Sequence, residues 1–144
     1  MGPHIRRGCL MRRPDWDARL VRVLEIEQAS PFEWGAHDCA TLWRAAIEAM
    51  TGRDPLAGVR PWFSERSALR VLARVGVASV SEFIDGRFPS IPVDAARRGD
   101  LVLPDLPQGP LVSPAVVLTG EALTRSSDGL IMVPAPMWRR AWRV

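Results

Sequence analysis

Pro31-Phe32-Glu33-Trp34-Gly35-Ala36-His37-Asp38-Cys39 puts a Trp-Gly turn, a histidine, an aspartate and a cysteine into nine residues, and a helical pattern begins where it ends. Asp38 has the chemistry of an N-cap, because its short carboxylate can accept from the free amides of a first helical turn. Cys39 then falls in that turn. Cys39, Leu42, Trp43, Ala46, Ile47 and Met50 follow at helical spacing as one apolar stripe, and Gly52 supplies a stop. A cysteine at a helix start is placed as a nucleophile, since the macrodipole and the free N–H groups favour its thiolate. Such a reaction also needs a base in reach and a third group that orients it.

The same residues have a purely structural use, which is the preferred one. Trp34 packs, Gly35 permits the turn, His37 and Asp38 bond loop and helix-end amides, and Cys39 fills the top of the core as a small hydrophobe. A metal site from His37, Asp38 and Cys39 is disfavoured. Adjacent ligands in one short loop give poor tetrahedral geometry, and no partner pair exists elsewhere. No metal and no cofactor is therefore expected.

Upstream, residues 1–13 form a basic arm ahead of a single domain over 14–144. Pro14 and Asp15 open a first helix, with Trp16, Leu20, Val23 and Leu24 on one face, and Ser30-Pro31 stops it. Downstream, 54–63 is loop-like, and Ser64 caps a third helix to Val75 with Leu69 and Leu72 inward. A short helix covers 79–85. The pattern then changes. Gly99-Asp100-Leu101-Val102-Leu103 enters a strand, followed by strands at 115–118, 121–125, 130–133 and 141–144, with a hairpin turn at 126–129. Residues 134–139 are irregular or a single helical turn. Helices first and a small antiparallel sheet after make an α+β domain.

The totals bound the function classes. A chain of 144 residues, 47% hydrophobic and 24% charged, suits one soluble globular domain. No apolar run approaches the roughly 20 residues of a membrane span, and no signal peptide is visible. All 19 basic residues are arginine, and without Arg6, Arg7, Arg12 and Arg13 the net charge of +3 becomes −1. A basic arm on a neutral body does not point to specific nucleic-acid binding. Cys9 and Cys39 make no disulfide framework and are expected reduced. Near the C-terminus, Trp138, Arg139, Arg140, Trp142 and Arg143 combine the residue types enriched at interface hot spots and form a candidate partner patch. A last strand that closes the domain, with its arginines solvated, explains them equally.

Asp38-Cys39 at a helix start, Gly99-Asp100-Leu101-Val102 and the strand Ala115-Val116-Val117-Leu118-Thr119-Gly120 together resemble the NlpC-like branch of the papain-fold cysteine hydrolases. A narrower resemblance is to a family met in tailed-phage, prophage and gene-transfer-agent-like tail gene clusters. Its Pro-Phe-X-Trp-Gly-X-His-Asp-Cys, Thr-Gly-X-Asp-Pro, Ala-Arg-X-Gly-Asp and Ala-Trp-Arg-Val motifs correspond to 31–39, 51–55, 96–100 and 141–144. The resemblance implies an NlpC-like fold. It also implies a tail-assembly or tail-tip role, with other tail proteins as partners, synthesis in the bacterial cytoplasm and incorporation in a virion-like particle. Active NlpC-like members carry a histidine at the start of the strand that here follows Ser113-Pro114, and this chain has no histidine after His37. Serine cannot take a proton near neutral pH. The expectation is thus a degenerate hydrolase scaffold that binds. The alternative is a cysteine peptidase or amidase acting on peptidoglycan peptides, with Cys39 as nucleophile and backbone amides at the helix start as oxyanion donors.

Overall fold

The computed structural model describes residues 11–107 and 109–144. The first half is helical: α1 (Trp16–Gln28), α2 (Cys39–Thr51), α3 (Glu65–Val75) and α4 (Val80–Asp85). The second half is β1 (Ser90–Ile91), β2 (Leu101–Pro104), β3 (Ala115–Val117), β4 (Glu121–Ser126), β5 (Gly129–Pro134) and β6 (Trp138–Trp142). These strands form one sheet in the order β1-β6-β2-β3-β4-β5, every pairing antiparallel. The α+β class follows directly.

The helix boundaries have local causes. The Asp38 side chain caps α2, and Gly52 ends that helix at φ 76°, in the left-handed region that favours glycine. Ser64 caps α3 through a reciprocal bond with Ser67, and Gly76 ends it. The inner face of α3 is Ala68, Val71 and Leu72. Leu69, expected inward, is exposed, because one position along a helix turns a side chain by about 100°.

The sheet is buried on both faces, and strand alternation divides its side chains. Leu101, Leu103, Val116 and Trp142 face the helices with Leu20, Trp43, Ile47 and Phe83 in the main core. Val102, Ala115, Val117, Ala122, Val133 and Ala141 form a thinner second core, covered by Ile91, Val93, Ala96 and Trp138. Strand β1 and the 3-10 turn Val93–Ala95 are additions to the sequence expectation. Two residues between Pro89 and Pro92 are too few to show a period.

The C-terminal strand begins at Trp138 rather than Ala141, and this corrects the candidate patch. Trp142 is fully buried, and its Nε1 donates to Asp85 Oδ1 at 2.9 Å. Arg140 forks onto the same carboxylate and stacks on the Trp142 ring. Trp138 Nε1 donates to the Val133 carbonyl, and Arg143 Nη2 to that of Ala95. Only Arg139 of the five is mostly exposed, 3.8 Å from Asp105. The stretch is therefore a closing strand rather than a free surface. A Trp142→Ala variant would report core damage, so it cannot test partner binding.

Residues 1–10 of the basic arm lie outside the described residues. Arg12, assigned to that arm, is docked on the domain. Its guanidinium donates to the carbonyls of Arg98 and Val144 and to Asp100 Oδ1, and it lies over the Trp16 ring.

Candidate functional site

The loop before α2 is built around one buried carboxylate. Asp38 Oδ1 accepts from the amides of Ala40 and Thr41, each at 2.9 Å. Its Oδ2 accepts from the Gly35 amide at 2.8 Å and from Trp62 Nε1 at 2.6 Å. Thr41 Oγ1 returns the favour by accepting from the Asp38 amide. Gly35 is required here on two counts. Its φ is 80°, and an added Cβ would lie 1.9 Å from the Trp62 carbonyl oxygen. Asp38 is thus a cap and a clamp.

His37 points to a different partner. Its Nδ1 lies 3.1 Å from Glu27 Oε1, on α1. Glu27 is buried, and Arg125 Nη1 on β4 donates to its Oε2 at 2.8 Å and to its backbone carbonyl. Arg125 Nη2 donates to the Ser30 carbonyl. This chain of contacts ties α1, the loop and the sheet together. His37 is held at the far end of it. His4 lies outside the described residues.

Cys39 is a free, half-buried thiol whose Sγ lies 3.9 Å from the Leu111 carbonyl. Burial pushes its pKa up. The Ser113 hydroxyl opposes this, and the charge of Asp38 adds to it. The helix start does not prevail, so at neutral pH the group is a thiol rather than a thiolate. Ser113, on the approach to β3, shares with Cys39 the wall of an open cleft and of an apolar cavity behind it. Among the described residues no cluster of three or more His, Cys, Asp or Glu side chains is arranged to hold a metal.

The family model of a domain of unknown function, DUF6950, matches residues 11–144. The chain belongs to the DUF6950 family. No curated protein matches it. The span of the DUF6950 domain takes in Arg12, in keeping with the docked position of that residue.

The other quoted motifs also make structural contacts. In 51–55, Asp54 receives a two-pronged bond from Arg44, at 2.9 and 2.7 Å, and caps the Leu56 amide. That fork holds the Asp54 carboxyl below its ordinary pKa. In 96–100 and 141–144, Asp100 meets Arg12, Arg143 and the Val144 amide. Sequence reasoning met Asp100 only as part of the entry into a strand. It placed Arg12 in the arm and gave no role to Glu27, Trp62 and Arg125, whose partners lie far away in the chain.

One consequence can be measured on the thiol. In a Cys9→Ser background, iodoacetamide near neutral pH is expected to alkylate Cys39 about tenfold more slowly than it does glutathione, because the thiolate is the reacting species. The inflection of the pH–rate curve should lie above that of a free thiol. Alkylation as fast as that of glutathione would contradict a protonated Cys39.

Proposed function

We propose that this DUF6950 domain is a structural or assembly component of a phage or phage-like (gene-transfer-agent-like) tail. In this reading it is a degenerate NlpC-like papain fold that binds other tail proteins and does not cleave them. The observation that carries it is the environment of Cys39: the hydroxyl of Ser113 stands beside the thiol, His37 Nδ1 is tied to Glu27, and burial pushes the thiol pKa up. A cysteine hydrolase needs an acceptor nitrogen within hydrogen-bond reach of the sulfur. The tail assignment rests on the four motifs quoted above, and the binding role on this chemistry.

A second reading, a peptidase or amidase on peptidoglycan peptides, draws support from one observation. Cys39 stands at the first turn of α2 and borders an open cleft. The two readings separate in one experiment with Cys39→Ala. For a binding component, particles carrying Cys39→Ala contain the protein at the wild-type level, and purified wild-type protein leaves muropeptides intact. Muropeptide cleavage by the wild type that disappears in Cys39→Ala would establish the hydrolase instead. Particles formed at normal titre without the protein would remove the assembly role.

A further inference from the structure

Two spaces meet at Cys39. Behind the thiol is an apolar cavity of about 60 Å³, walled by Trp34, Trp43, Trp62, Leu72 and Phe83 among others. In front is an open cleft of about 490 Å³ between Leu69 on α3, a wall containing Pro104, Pro107 and Pro110, and Arg125 on β4. Cys39, Leu111 and Ser113 line both spaces, so these three residues form the partition between them.

The cleft wall carries donors from which no oxygen or nitrogen among the described residues accepts. Ser113 is 4% exposed; its hydroxyl lies beside the Cys39 thiol, and its Oγ has no oxygen or nitrogen partner of hydrogen-bond geometry among the described residues. Arg125, at 6% exposure, also lines the cleft, and its Nε is without a partner there too. Burying a donor with no acceptor is costly. These atoms therefore mark where the acceptor of a bound group would sit. The charge state narrows the acceptor. Glu27 neutralises the Arg125 guanidinium, and Glu65 adds an acid to the cleft wall. A carboxylate would lose its hydration there without gaining a free cation, so a neutral carbonyl is favoured.

The cavity narrows the rest of the ligand. An apolar cavity of roughly 150 Å³ takes benzene, so one of 60 Å³ has room for about three aliphatic carbons. That is too short for an acyl chain and suits a small branched side chain. We propose that the cleft takes an extended peptide segment of a partner protein. A backbone carbonyl of the segment accepts from Ser113 Oγ, and a valine-sized side chain passes the partition into the cavity behind Cys39. This rests on the binding reading above and adds what is bound.

The test uses the full chain and two capped peptides, acetyl-Ala-Ala-Val-Ala-Ala-amide and the same peptide with aspartate at the centre, followed by NMR shifts. The valine peptide should saturably move the signals of Cys39, Leu72, Leu111 and Ser113 and be recovered uncleaved. The aspartate peptide should bind at least about tenfold more weakly. Ser113→Ala should weaken valine-peptide binding about fivefold. Ala68→Leu, which fills the cavity, should abolish it while leaving the melting temperature unchanged or raised. If Ala68→Leu lowers that temperature, Val71→Ile fills the same space by one carbon and should weaken binding instead. No saturable shift up to about 10 mM peptide would overturn the proposal. So would binding that ignores both Ser113→Ala and the filled cavity, or cleavage of the peptide. If the peptide fails while the protein still enters particles, only this inference falls. If the peptide binds but the protein is absent from particles, the assembly role falls.

Discussion

Asp38→Ala is expected to destabilise the domain by about 4 kcal/mol, with loss of the helix cap contributing about 1 kcal/mol and the stranded buried donors most of the rest. The carboxylate accepts from Gly35, Ala40, Thr41 and Trp62 and is almost wholly buried. Alanine leaves all four donors without their acceptor, two of them at the start of α2. Trp62 Nε1 and the Gly35 amide are worse placed, because Gly35 lies in the loop that Asp38 closes, Trp62 comes from the segment before α3, and no helix neighbour can take the carboxylate's place. Asp38→Asn is the informative control. It keeps one oxygen for the helix amides but turns an NH2 group toward Gly35 and Trp62, so about half the loss should remain. Urea titration followed by tryptophan fluorescence measures both, and by size scaling the alanine variant should melt about 10 °C lower. A loss under about 1 kcal/mol would mean that the clamp is unimportant, and would reopen a chemical role for Asp38 beside the thiol.

How much of this was legible beforehand depends on how local the cause is. The cap at Asp38, the stop at Gly52, the Ser64 cap and the apolar stripe from Leu42 to Met50 act within a few residues, and the sequence pattern carries them. Strands β2 to β5 were visible from short apolar runs between turn residues. Strand β1 was not, because two residues between prolines show no alternation. The site was legible only as a loop. His37, Asp38 and Cys39 are adjacent in sequence, which suggested cooperation, yet their side chains go to three separate places: Glu27 on α1, the Gly35 and Trp62 clamp, and the Ser113 partition. Partners separated by 24 to 98 residues, such as Trp62 to Asp38 or Arg125 to Glu27, leave no periodic trace. The C-terminal tryptophans and arginines show the same limit. Composition fitted an interface and a closing strand equally, and pairing with β2 places Trp142 in the core.

The second large effect is expected at Asp100, where three distant pieces of chain meet. Asp100 is fully buried and accepts from the Val144 amide at 3.0 Å, the Arg97 amide at 2.9 Å and Arg12 Nη2 at 3.1 Å, with Arg143 Nε 3.3 Å from its Oδ2. Burial pulls the Arg12 pKa down, and the Asp100 charge is the main opposing force. Asp100→Ala removes that force from two arginines at once, and breaking a buried pair in this way costs about 3–5 kcal/mol. We expect a loss near the upper end, about 5 kcal/mol, since the Arg97 and Val144 amides are stranded too. The loss should change little between low and high salt, because screening ions do not reach a fully buried carboxylate. A surface ion pair would behave oppositely. The double variant Arg12→Met, Asp100→Ala decides between a charge effect and a cavity effect. Methionine removes the orphaned cation while keeping an apolar stem on Trp16. The two changes should therefore cost about 2 kcal/mol less together than the sum of each alone. Additive costs would show that Asp100 acts through its backbone-amide bonds only, and that the docking of Arg12 follows from the fold without holding it.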